Sequence, residues 1–276
     1  MAVKSNEGTA LRFLYHTAAG RLLLHLLTAR WVSKAAGTFL SSPLSRFLIP
    51  SFIRKAGIDF SELEQTKFRS FNDCFTRKIK PELRPILGGE EEIISPCDGL
   101  LSVYRIEDRT VLPVKQSRYT VDSLLQNQEL AARYRDGWCF VFRLCVEHYH
   151  RYCYPVSGVK NENRFIGGKL HTVRPIALRE VPVFCENCRE YTTIQTDRFG
   201  PVTQMEVGAL LVGKIQNDDG AGPVTKGAEK GRFLYGGSTI VLLFEKDAVK
   251  PLDPFLNESQ RGNETAVKLG QIIAKK

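Results

Sequence analysis

The chain has 276 residues, 43% of them hydrophobic and 25% charged, enough apolar side chain to bury a sizeable core, which excludes wholesale disorder. Seven Cys are too few for a disulfide-dense scaffold, the odd count favours a reducing compartment, and no apolar run reaches the roughly 18 residues of a simple spanning helix. The net charge of +9 is concentrated at the front, where residues 1–55 carry eight Lys or Arg against Glu7 alone.

In that front segment, Leu11, Leu14, Tyr15, Ala18, Leu22 and Ala29 recur at three- and four-residue steps. The spacing predicts an amphipathic helix over residues 9–28, with Arg12, Arg21 and Arg30 on its polar side. A second segment, Leu40 to Phe52, is rich in Leu, Phe and Ile and is cut into short pieces by Pro43 and Pro50. A basic stretch with a broad apolar face suits the interface of an anionic bilayer. A soluble helical hairpin packed on the main domain and a mitochondrial presequence are the alternatives. Nucleic acid is disfavoured, because neither an aromatic-and-glycine RNA motif nor zinc-finger spacing occurs.

Helical character is expected near Ser61–Lys78, whereas the prolines of Arg77–Pro85 exclude a long helix. From Ile93 onward the texture changes. Short β-branched and aromatic runs at Leu100–Ile106, Cys139–Val146, Tyr191–Thr196, Val202–Ile215 and Thr239–Phe244 alternate with Gly, Pro, Asn and Asp clusters. This predicts an α+β protein in which basic amphipathic N-terminal helices (residues 1–60) precede a mostly antiparallel β-barrel or sandwich-like domain (residues 61–276).

Four clusters have chemical potential. In Tyr235-Gly-Gly-Ser-Thr-Ile240, two glycines leave the Gly237 carbonyl open to the Ser238 hydroxyl at the head of a hydrophobic strand; by itself this reads as a turn. Ser95-Pro-Cys-Asp-Gly99 carries Asp98 at a turn. Glu147-His-Tyr-His-Arg-Tyr-Cys-Tyr-Pro155 packs two His, an Arg, three Tyr and a Cys behind a buried strand, a density suited to proton transfer. Cys185 and Cys188 have the two-residue spacing of half a zinc site or of a thiol redox pair, but no second half follows, so free thiols are expected and no metal.

Together and in order, these segments resemble the phosphatidylserine decarboxylases of prokaryotic type, a pyruvoyl-dependent family. The resemblance rests on Phe75-Thr-Arg-Lys-Ile-Lys-Pro-Glu-Leu-Arg-Pro85, Ser95–Gly99, Tyr149–Pro155, Gly168-Lys-Leu-His-Thr-Val173, Val207-Gly-Ala-Leu-Leu-Val-Gly213, Lys226-Gly227 and Phe233–Thr239. It implies self-cleavage between Gly237 and Ser238, with Ser238 becoming a covalent pyruvoyl group that forms a Schiff base with the substrate amine. The product would be phosphatidylethanolamine and CO2. It also implies an Asp–His–Ser relay containing Asp98 and Ser238.

The histidine departs from the family pattern Tyr-His-Arg-x-His: His150 keeps the first position, but Cys153 stands at the second, and a Cys of ordinary pKa is a poor base. His150 is the first expectation for the base, His171 the second and Cys153 the last, with His148 also near. Arg151 and the basic front are expected to meet phosphate head groups. The implied setting is the cytoplasmic face of a membrane, with the two cleaved chains staying associated and a homodimer left open. The alternatives are a non-cleaving lipid-binding β module and a pyruvoyl decarboxylase of a soluble amino acid.

Overall fold

The computed structural model describes residues 13–14, 16–17, 19–20, 22–23, 30–107, 112–114, 117–169, 171, 183–209, 214–236 and 238–276. Most of the stripe expected over residues 9–28 lies outside these residues, as do Gly237, Leu170, Thr172, Val173 and residues 210–213 of the motif segments.

The front segment folds as short helices set by its prolines. A helix over Arg30–Ser41 is followed by a 3-10 helix over Pro43–Leu48 and a helix over Ile49–Ala56. Pro43 and Pro50 each stand in the first turn of their helix, where a missing N–H costs nothing. Gly57 closes the last helix at φ +62°, a left-handed cap that favours glycine. The inward side chains Leu40 and Phe52 join Leu63, Phe68, Phe71, Phe75, Ile79 and Tyr149 in one cluster, with Tyr235 packed against it. Polar bonds fix the same contact: Ser45 Oγ accepts from the Phe71 N–H at 2.9 Å, and Asn72 Nδ2 donates to Ser41 Oγ at 2.9 Å.

The helical character expected near Ser61–Lys78 is confined to a 3-10 turn at Phe60–Glu62 and a helix of five residues, Phe71–Phe75, capped by Ser70. Tertiary pairing overrides local propensity here. Leu63 bridges Ile79, the Glu64 N–H donates to the Lys78 carbonyl and the Lys80 N–H to that of Glu62, so both flanks are extended.

Among the described residues, seventeen strands follow in chain order. They are β1 (Glu92–Ile94), β2 (Gly99–Arg105), β3 (Leu112–Val114), β4 (Ser117–Tyr119), β5 (Trp138–Leu144) and β6 (Arg151–Cys153). Next come β7 (Gly158–Lys160), β8 (Arg164–Ile166), β9 (Arg189–Thr196), β10 (Gly200–Val207), β11 (Ile215–Asn217) and β12 (Gly222–Val224). The last are β13 (Glu229–Phe233), β14 (Ser238–Phe244), β15 (Lys250–Pro251), β16 (Thr265–Val267) and β17 (Ile272–Lys275). The main sheet runs β12-β7-β9-β10-β14-β5-β2-β16, with β8 also paired to β9, and smaller sheets run β11-β13-β6 and β1-β17-β15. Every strand pair is antiparallel. The main sheet is open-ended, so the barrel half of the expectation gives way to a sandwich-like α+β architecture. The expected run Val202–Ile215 is divided, β10 ending at Val207 and β11 starting at Ile215.

Both faces of the main sheet are covered. Val141, Met205, Val207, Val241 and Leu243 pack on the helical segments that carry Leu124, Ala131 and Phe184. Phe140, Phe142, Val202, Ile240 and Leu242 face the small sheet through Tyr152 and Phe233. Burial on both faces explains why β14 reads Ser-Thr-Ile-Val-Leu-Leu-Phe with every residue buried, rather than as an alternating strand.

Candidate active site

Ser238 opens β14 from the middle of the main sheet. It faces Leu144 of β5, and the next residue, Thr239, lies between Arg143 of β5 and Val207 of β10. The turn before it contains Gly236 at φ +130°, a backbone conformation that a Cβ would strain. The Ser238 side chain has no exposure, and its Oγ has no hydrogen-bond partner among the described residues. A buried hydroxyl without a partner costs stability, of order 1–3 kcal/mol, so its presence here requires another reason.

His150 approaches the same turn from the small sheet. It immediately precedes β6, and its carbonyl accepts from the Phe233 N–H at 2.9 Å. The ring is fully buried against Phe75, with centroids 4.1 Å apart. Nδ1 lies 2.9 Å from the His148 carbonyl. A carbonyl only accepts, so the neutral ring carries its proton on Nδ1 and leaves the Nε2 lone pair available. Burial pushes the imidazole down to about 3; the His148 carbonyl and the Gly236 backbone oppose that shift, while Arg77 adds to it. Nε2 is buried without a hydrogen-bond partner among the described residues. A potential base and a potential nucleophile therefore both face the turn that contains Gly236, each without a partner and not yet bonded to the other.

Asp98 stands two strands away, just before β2. Arg84 Nε and Nη2 reach its carboxylate at 2.9 and 2.6 Å, and the Leu269 N–H donates to Oδ1 at 2.9 Å. These bonds, with a longer one from Arg84 Nε to Oδ2 at 3.2 Å, occupy both oxygens. The charge of Asp98 acts on His148, whose ring is held below its usual range first by burial, with Glu147 and Asp98 opposing. His148 Nδ1 accepts the Cys145 N–H at 2.9 Å.

His171 is tied to the end of β10 through Asn187. Asn187 clamps its backbone, accepting from His171 N at 2.8 Å and donating to its carbonyl at 2.7 Å and to the Gly208 carbonyl at 2.7 Å. Gly208 follows Val207, the partner of Thr239. His171 Nε2 lies 3.6 Å from Glu186 Oε2, and burial lowers the ring's pKa against the pull of Glu186.

Cys153 is enclosed, and burial pushes its thiol up to about 12. A thiol neutral at any working pH is no proton acceptor. Arg151 is held through Nη1 by Glu229 at 2.5 Å and through Nε by the Thr76 carbonyl at 2.8 Å. Cys185 Sγ contacts Ser123 Oγ at 3.0 Å and Cys188 Sγ donates to the Gly168 carbonyl at 3.0 Å; the seven cysteines are free thiols. Among the described residues no His, Cys, Asp or Glu cluster could hold a metal ion.

Sequence reasoning missed three supports. Phe75 is the platform for the His150 ring; Arg77, almost fully buried, donates to the carbonyls of Glu147 and His148; and Arg84 holds Asp98. All three stand in the Phe75–Pro85 motif, which marked the segment without revealing what each side chain touches.

The buried rings imply a pH dependence of stability. His148, His150 and His171 are all depressed, burial being the first cause in each. The unfolded chain takes up these protons below about pH 6.5, whereas the folded rings resist. Their contribution is complete above that value and is lost as pH falls towards the folded pKa, about 3 for His150. Tm is expected to fall between about pH 6.5 and pH 4, and His150→Phe, which cannot titrate, to flatten that slope. Equal slopes in both proteins would show that His150 already binds its proton in the fold.

Comparison with known proteins gives the chemistry its context. A family profile described as phosphatidylserine decarboxylase matches residues 71–275. Phosphatidylserine decarboxylase proenzyme 2 of Clostridium acetobutylicum is 43% identical over 98% of this chain and 93% of its own length. The phosphatidylserine decarboxylase proenzyme of Ruminiclostridium cellulolyticum is 42% identical over 96% of the chain and 91% of its own, and that of Chlamydia muridarum 39% identical over 97% and 91%.

Proposed function

The chain belongs to the phosphatidylserine decarboxylase family, and on that premise we propose that it is a proenzyme that cuts itself between Gly237 and Ser238 and then decarboxylates phosphatidylserine to phosphatidylethanolamine. The observation that carries this reading is the pair of buried, unpartnered atoms Ser238 Oγ and His150 Nε2 flanking the glycine turn. His150 Nε2 takes the hydroxyl proton as Ser238 Oγ attacks the Gly237 carbonyl, and the peptide bond becomes an ester. Loss of the Ser238 α-proton then expels the Gly237 carboxylate, leaving a dehydroalanine end that hydrolyses with release of ammonia. The environment fits a pyruvoyl group made from Ser238: the residue is fully enclosed, and the strand behind it is entirely buried. Such a group supplies an electron sink for loss of CO2 from an amino-acid head group.

Asp98 remains part of the proposed relay, acting through the histidine loop and fixed by Arg84 and the Leu269 N–H. The new chain end belongs to a strand held on both sides, by β10 and β5, so the two pieces stay associated after the cut. Mass spectrometry of the purified protein tests the reading directly. A fragment of residues 238–276 with a blocked, carbonyl-reactive N-terminus is expected, and a single intact chain would reject it.

The front segment is proposed to dock on the cytoplasmic face of an anionic membrane. Leu44 and Phe47 on the 3-10 helix are 75% and 70% exposed, beside exposed Arg46, Arg54 and Lys55. No helix among the described residues is long and apolar enough to cross a membrane, which leaves interfacial insertion as the mode that uses these side chains. Each large apolar side chain contributes about 1.5–3 kcal/mol when buried. Leu44→Ser with Phe47→Ser is therefore expected to weaken binding to phosphatidylserine-containing vesicles at least about tenfold. Unchanged vesicle binding would reduce the segment to a packed hairpin.

A further inference from the structure

The face of the main sheet that bears Ser238 also carries a buried charge pair that the chemistry above does not use. Ser238 and Ile240 alternate onto one face of β14, and Glu206 stands directly across from Ile240 on β10. Glu206 is thus the diagonal neighbour of Ser238, at a Cα separation of roughly 7–8 Å. Its side chain has no exposure; Oε2 accepts from Lys230 Nζ at 2.6 Å and from Asn217 Nδ2 at 3.2 Å. Lys230, equally enclosed, also donates to Asn217 Oδ1 at 3.0 Å.

Lys230 reaches that position through a break in strand register. Glu229 faces Cys153 and Gly231 faces Tyr152, so Lys230 is the additional residue of a bulge, a device that re-aims a side chain. Two residues along β10 from Glu206, Gln204 Nε2 donates to the Cys153 carbonyl at 3.3 Å. The bonds of Glu206 and Gln204 join the two layers, since Lys230, Asn217 and Cys153 belong to the small sheet and Glu206 and Gln204 to the main one, while the Lys230–Asn217 bond braces the small sheet from within. The same two layers carry the reacting atoms, with His150 directly before β6 and Ser238 at the head of β14.

The rest of this inter-sheet contact includes Tyr152, Phe233, Phe142 and Ile240, and apolar packing is not directional. A buried ion pair is a weak source of stability, since desolvating both charges offsets their attraction, but it can fix registry. We propose that Glu206 and Lys230, assisted by Gln204, are positioning residues that lock the sheet carrying His150 against the sheet carrying Ser238 for self-cleavage. The proposal rests on the reading of Ser238 given above.

The test uses the full chain, followed from synthesis by gel and mass spectrometry. Glu206→Met with Lys230→Met keeps the volume of the pair and removes its direction. Its Tm is expected to stay near wild type, because apolar replacement of a buried pair is often neutral or stabilising. Its cleavage is expected to slow at least about tenfold, since a shift of about 1 Å can cost about a hundredfold in rate. The pH profile of cleavage should lose height and keep its limbs, as the base is unchanged; displaced limbs would mean that the pair itself titrates in the reaction and would overturn a positioning role. Wild-type cleavage at wild-type Tm would make the pair purely structural. Should the double variant fail to fold, Gln204→Leu decides: it leaves no buried charge unpaired, a several-fold slowing at unchanged Tm supports the lock, and an unchanged rate overturns it. An uncut wild-type chain would defeat the reading of Ser238 and this proposal with it, whereas normal cutting in wild type and variants alike would defeat only the proposal.

Discussion

Ser238→Ala is expected to give a single uncut chain of 31.1 kDa with decarboxylase activity at background, and with a stability equal to or above that of the wild-type chain before it is cut. The two halves of this result have one cause. Without Oγ there is no nucleophile for the Gly237 carbonyl, and therefore no cut and no carbonyl group at the new chain end. The same atom is buried without a hydrogen-bond partner, so removing it relieves an unsatisfied group that costs about 1–3 kcal/mol. A residue kept only for packing would behave in the opposite way, losing stability while leaving chemistry intact. A gel, a decarboxylation assay and a thermal melt on one preparation separate the alternatives. Normal processing of the variant would reject the mechanism outright, and a large fall in Tm would show that Oγ has a structural partner in solution.

The parts of this architecture that were legible in sequence are those encoded over a few neighbouring residues. The apolar run Cys139–Val146 marked a buried strand, seen as β5, and the glycines before the hydrophobic strand β14 marked the turn that Gly236 makes at positive φ. Pro43 and Pro50 marked helix starts. What failed depended on distant partners. The helical pattern near Ser61–Lys78 could not reveal that Leu63 and Ile79 bridge each other and hold the flanks extended. The bidentate bond from Arg84 to Asp98 and the bulge that turns Lys230 inward leave no local trace, because each depends on strands and loops meeting in three dimensions. The same limit applies to the histidines: sequence placed three of them near the chemistry, and only the fold distinguishes how each ring is held.

That difference yields the second large expected effect. His150→Ala should slow self-cleavage by about a hundredfold or more, the range typical of a lost general base, whereas His171→Ala should still be cut, at a rate reduced only several-fold. The His150 ring has its proton fixed on Nδ1 by the His148 carbonyl and its Nε2 without a partner beside the Gly236 turn. His171 instead has its backbone clamped by Asn187 and its ring beside Glu186. His171→Ala keeps the clamped backbone and removes only that ring, so the acceptor at His150 stays in place. Because burial keeps His150 neutral down to about pH 3, cleavage should also keep its rate between about pH 7 and pH 5, where an ordinary histidine base would lose about tenfold or more to protonation. Cys153→His is not expected to rescue His150→Ala, since position 153 is enclosed and its carbonyl is tied to Gln204. The cut fraction over time in the single variants separates the cases: an uncut His171→Ala with a processed His150→Ala would transfer the role to His171. Full processing in both would move it to His148, whose ring already feels the charge of Asp98.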